Sequence, residues 1–227
     1  MELGRQAAGI GVLADATRRA LYEYVVAQPG PVGREQAAAA VDLPLHRASF
    51  HLDRLVAEGL LEVEFRRLTG RTGPGAGRPS KLYRRAEREF AVSLPERRYD
   101  LVGDILAAAV SRTADGTPLE AALGDCAREE GLEVGGAASD RKDQGSLASL
   151  AEVLATQGYE PRLEPEAVVL ANCPFDSLAR KHTSLVCGLN ESFVQGVADG
   201  LGCPATACLE PSPDRCCVTA RYAAPRA

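Results

Sequence analysis

Between Pro44 and Arg85 the chain carries a pattern that leaves little choice in how it folds. Leu45, Ala48, Leu52, Leu55 and Val56 fall at helical spacings, so a helix here presents one apolar stripe, with His46, Arg47, Ser49, Phe50, Asp53 and Arg54 on the opposite face. Pro44 stands where a first helical turn tolerates an imino acid, and Gly59 closes the helix. Residues 60–65 then read as a strand, 69–79 are rich in Gly and Arg and cannot pack a core, and 81–85 read as a second strand. Upstream, Asp15 caps a helix over about 15–28 with Ala20, Leu21, Tyr24 and Val25 on one face, and Pro29-Gly30-Pro31 ends it. A short Ala-rich helix follows over 33–41.

Charge reinforces the pattern. Residues 1–90 hold 14 Lys/Arg against 11 Asp/Glu, whereas 91–227 hold 12 against 20, so the overall charge of -5 hides a basic module. Three helices followed by a two-stranded ribbon with a basic tip make a winged helix-turn-helix, whose third helix fits the major groove of double-stranded DNA. In this reading Arg47, Ser49, Phe50 and Arg54 face bases or nearby phosphates, and Arg71, Arg78 and Lys81 grip the backbone. His51, beside the apolar Leu52, reads as a packing or backbone-contacting histidine. No apolar run approaches the roughly 18 residues of a membrane span, and residues 1–14 lack the features of a signal peptide, so a cytoplasmic location is expected.

The rest of the chain alternates helix and strand patterns. An amphipathic helix over 99–113, with Leu101, Val102, Ile105, Leu106, Ala109 and Val110 on its apolar side, suits either dimerisation or burial within its own chain. Helices are expected over 118–130 and from Leu147 to Gly158, with a Gly/Asp-rich loop over 131–145. Strands over 159–163 and 167–171 precede a helix opened by Asn172-Cys-Pro-Phe175. The Val186, Leu189, Phe193, Val197, Leu201 series marks another helix, followed by strands near 205–210 and 216–222. The expected fold is mainly α with α+β parts: a winged helix-turn-helix domain over 1–90, a linker or dimerisation helix over 91–115 and a cysteine-containing α+β sensor domain over 116–227.

Six of the seven cysteines lie between 173 and 217, a density at odds with the scarcity of structural disulfides in reducing compartments. Gaps of 13, 15 and 12 residues separate Cys173, Cys187, Cys203 and Cys216. Such wide spacing suits thiolates brought to an iron-sulfur cluster from separate elements; a structural zinc site would more usually show C-x2-C knuckles, and zinc stays the alternative. The fourth position is open among Cys203, Cys208, Cys217 and a non-cysteine group such as Asp176 or His182. Cys126, in an apolar helix, reads as a small buried hydrophobe. No Ser-His-Asp, HExxH, Walker or GxGxxG arrangement is present, so an enzyme is not expected.

The segment from Ser49 to Leu61 and the Gly75-Ala-Gly-Arg-Pro-Ser-Lys-Leu-Tyr83 wing resemble ArsR-like bacterial regulators, and most closely the SufR-type branch. The resemblance extends to Asn172-Cys-Pro-Phe-Asp-Ser-Leu-Ala179, Leu185-Val-Cys-Gly-Leu-Asn190 and Pro213-Asp-Arg-Cys-Cys-Val218. It implies a homodimeric repressor or activator that reads two operator half-sites. It also implies a 4Fe-4S cluster in each subunit whose loss releases operators of iron-sulfur assembly genes. Cys173, Cys187 and Cys216 match its ligand pattern best, and Cys203 matches the fourth position loosely.

Overall fold

The computed structural model of the protein describes residues 2–67, 79–138 and 145–222. The chain divides into two compact units, Met1–Val92 and Ser93–Ala227. The helix expected as a separate linker over 91–115 thus lies in the second unit.

The first unit runs α1 (Glu2–Val12), α2 (Ala16–Val26), β1 (Val32–Gly33), α3 (Arg34–Ala40), α4 (Leu45–Ala57), β2 (Leu61–Arg66) and β3 (Ser80–Arg85). Asp15 caps α2 by accepting the Arg18 amide at 2.9 Å. Between α3 and α4 the backbone turns through Asp42 at a φ of 51°, a conformation that a short polar side chain tolerates. The three helices close over Leu21, Val25, Ala48, Leu52, Leu55 and Leu61, and the antiparallel sheet, in the order β1-β3-β2, adds Val32 and Tyr83 to that core. Leu45, expected in the buried stripe, is exposed at the first turn of α4, ahead of the core. Helix α1 was not foreseen.

The second unit runs α5 (Tyr99–Thr113), α6 (Leu119–Ala137), α7 (Leu147–Thr156), β4 (Pro161–Leu163), β5 (Ala167–Leu170), α8 (Asp176–Lys181), α9 (Thr183–Gly200), β6 (Ala205–Leu209) and β7 (Val218–Tyr222). Its antiparallel sheet has the order β4-β5-β7-β6. Leu101, Val102, Ile105 and Ala109 of α5 are buried in this unit's own core, whereas Val110, expected on the same apolar side, is 59% exposed. Helix α6 continues past Glu130, where a glycine-rich loop was expected. Gly131 and Gly135 meet Gly196 and Gly200 of α9 at a backbone-on-backbone crossing, where a Cβ on Gly131 would overlap the Phe193 carbonyl and one on Gly196 the Arg128 carbonyl. No helix among the described residues is long and apolar enough to cross a membrane.

Candidate nucleic-acid interface and thiol centre

Helix α4 turns His46, Arg47, Phe50, Asp53 and Arg54 to solvent and leaves Ser49 half-buried. Phe50 is 66% exposed, its ring meeting His51 edge-on at 5.4 Å. Arg54, expected at DNA, pairs one turn along with Glu58 at 2.6 Å. The buried Nδ1 of His51 has no hydrogen-bond partner. Arg71 and Arg78 lie outside the described residues.

Lys81, expected to grip the DNA backbone, is paired within the unit. Its ammonium lies 2.5 Å from Asp53 Oδ1 and 5.1 Å above the Tyr83 ring, while the Tyr83 hydroxyl donates to the same carboxylate oxygen at 3.0 Å. The Asp53 hydrogen bond holds the Lys81 pKa above its ordinary value, and burial is the main reason that Tyr83 is raised. Sequence reasoning had Asp53 only as a residue of the polar face, because its partner lies 28 residues away on another element.

In the second unit, four cysteines come together where α8, α9 and β7 begin. Cys187, on α9, and Cys217, beside β7, form a disulfide with their Cα atoms 6.6 Å apart. Cys173, half-buried ahead of α8, lies close enough to Cys216, itself 2% exposed, for the two thiols to interact. Cys216 Sγ also accepts from Asn190 Nδ2 at 3.2 Å, and Asn190 Oδ1 in turn accepts from the buried Tyr159 hydroxyl at 2.5 Å. The Cys173 thiol, aided by the Val218 amide and Asn190, lowers Cys216 to about 7 against the opposing effect of burial. The neighbouring Cys216 thiol and burial push Cys173 up.

Polar anchors hold the loop that carries Cys173. Arg97 donates to the Asn172 side chain at 2.9 Å and to the Cys173 carbonyl at 2.5 Å, and Asn172 donates to the Gly158 carbonyl at 2.6 Å. Arg97 had no signal in the sequence. Asp176, weighed as a substitute ligand, pairs with Arg180 at 3.1 Å; His182 is exposed between α8 and α9.

Cys203 stands apart from this group, contrary to expectation. It follows the C-terminus of α9, and the 13 residues from Cys187 to Gly200 span about 20 Å of helix. It is buried beside Ala205, whose partner in the sheet is Tyr222, at the end of β7 away from Cys216 and Cys217. Cys217 takes its place in the group. Cys208 is half-buried on β6, and Cys126 is buried in the core formed by α5, α6 and α9. Among the described residues no three His, Cys, Asp or Glu side chains form a set able to hold a metal ion.

Residues 13–64, from the end of α1 into β2, match a protein family described as a helix-turn-helix domain. The first unit is a helix-turn-helix domain. Its presence supports a DNA-binding transcriptional regulator. No curated protein matches the chain. Among solved structures, human N-acetylserotonin methyltransferase in complex with SAM is similar at 20% identity over 68% of this chain, with a TM-score of 0.26. The regulator covers 53% of that chain, about half its length.

Proposed function

We propose that this DNA-binding regulator is a homodimeric repressor whose second unit, once the Cys187–Cys217 bond is reduced, holds an iron-sulfur cluster on Cys173, Cys187, Cys216 and Cys217. The observation that carries the reading is two cysteine pairs, the Cys187–Cys217 disulfide and the coupled Cys173 and Cys216 thiols, joined through the adjacent residues Cys216 and Cys217. Four thiolates are the donor set of a 4Fe-4S cluster, in which each cysteine serves its own iron, so the adjacency of Cys216 and Cys217 is no obstacle. Bound there, the cluster supplies a redox-active centre that responds to oxidants and iron supply. Arg97 and Asn172 fix the loop bearing Cys173, Asn190 orients Cys216, and α9 presents Cys187. The resemblance to SufR-type repressors points to operators of iron-sulfur assembly genes as targets, read as two half-sites about 34 Å apart.

Anaerobic purification with iron, acid-labile sulfide and zinc analysis tests the reading. Equal iron and sulfide are expected, lost in Cys187→Ser and Cys217→Ser but kept in Cys203→Ser. A colourless protein with stoichiometric zinc overturns it.

The disulfide itself favours a second reading, a dithiol switch that holds no metal. That alternative predicts a metal-free protein whose DNA affinity changes on reduction and is insensitive to reduction in Cys187→Ser.

A further inference from the structure

Lys81 sits where β3 begins, at the root of the wing, and Asp53 projects from the face of α4 that also carries Phe50 three residues earlier. Two features make the contact between them more than a casual surface pair. The carboxylate oxygen that takes the ammonium also takes the hydroxyl of Tyr83, whose residue is 1% exposed and locked into the core, so the acceptor is aimed by a rigid donor. The ammonium also lies over the Tyr83 ring, where the π-face favours a cation. A lysine at a wing root would ordinarily be a phosphate contact, and an aspartate beside it on a groove-entering helix repels phosphate.

We propose that Asp53 is a specificity-determining residue: it withholds Lys81 from the DNA backbone, cancelling one sequence-independent contact so that a larger share of affinity comes from base reading. The proposal rests on the role of α4 as the groove-entering helix. In the bound protein Asp53 keeps Lys81, Tyr83 keeps Asp53 in place, and neither charge counts towards phosphate neutralisation.

The test uses the full-length regulator and a fluorescein-labelled duplex selected by the wild-type protein from a random pool, with a scrambled duplex beside it. Anisotropy titrations across a KCl series give Kd and its salt slope. Lys81→Ala is expected to leave the slope unchanged. Asp53→Asn is expected to tighten binding to both duplexes by roughly threefold to tenfold, steepen the slope by about one and shrink the preference for the selected duplex. The Asp53→Asn, Lys81→Ala double variant is expected to restore the wild-type slope, and Tyr83→Phe, which keeps the ring, to shift it less and in the same direction as Asp53→Asn. A slope about one shallower in Lys81→Ala makes that lysine a phosphate contact and overturns the proposal. So does a double variant that keeps the steeper slope, which assigns the effect to the charge of Asp53 alone. Loss of preference at one cytosine pair in Asp53→Asn makes Asp53 a base reader and overturns it too. A wild-type protein that binds no duplex overturns the role of α4 itself, a result distinct from each of these.

Discussion

Phe50 shows how a single side chain divides reading from gripping. An aromatic ring left 66% in water forgoes roughly 1–2 kcal/mol of burial, which packing on a thymine methyl in a groove would restore. Phe50→Ala is therefore expected to weaken binding to a selected duplex about tenfold and to a scrambled one hardly at all. Arg47→Ala, which removes an exposed charge, is expected to weaken both and lower the salt slope by about one. Anisotropy titrations on the two duplexes separate these outcomes. At this scale the sequence was half legible. It marked Arg47 and Phe50 as outward residues, because helical period is a local property. It could not choose between Cys203 and Cys217, since counting residues does not tell which end of α9 faces the strand that follows.

Elements were more legible than their limits, and α6 shows why. Glycine inside a helix costs about 1 kcal/mol against alanine, so Gly131, Gly135 and Gly136 read as a loop until α9 is placed against them. The crossing uses those glycines to bring two backbones together, a cause that lies some sixty residues away in the chain. This inverts the usual substitution rule. Gly103→Ala, with nothing within 4 Å of the added carbon, is expected to stabilise the protein by roughly 0.5–1 kcal/mol. Gly196→Ala, whose Cβ would overlap the Arg128 carbonyl, is expected to destabilise it by about 1–3 kcal/mol; urea unfolding reads both signs. The β6–β7 connection carries a pH-dependent clasp. Glu210 accepts from Arg221 at 2.6 Å and from Arg215 at 3.2 Å, and these bonds, the Arg221 one foremost, lower its pKa from 4.5 to about 2. A depressed carboxylate stabilises the fold above its unfolded value, so the contribution is complete above pH 4.5 and disappears as pH falls towards 2. Melting curves of Glu210→Gln across that interval are expected to fall less steeply with acid than those of the wild type.

The division of charge between the two units sets the behaviour of the whole molecule towards DNA. The first unit has a core of its own around Leu21, Leu52, Leu55 and Tyr83, so a fragment ending at Val92 is expected to fold alone. That fragment carries +3, because residues 91 and 92 are uncharged, and the remainder carries -8. At an ionic strength near 0.01 M, where charges are felt over about 30 Å, the acidic unit lowers the attraction of the full chain for any phosphate backbone. The fragment is therefore expected to bind a scrambled duplex more tightly than the full protein in dilute salt. The gap should close near 1 M, where screening acts within about 3 Å. Equal affinities throughout the series, measured by anisotropy on the same duplex, would mean that the acidic unit exerts no field at the reading face and that its influence on DNA passes only through folding, assembly or the thiol centre.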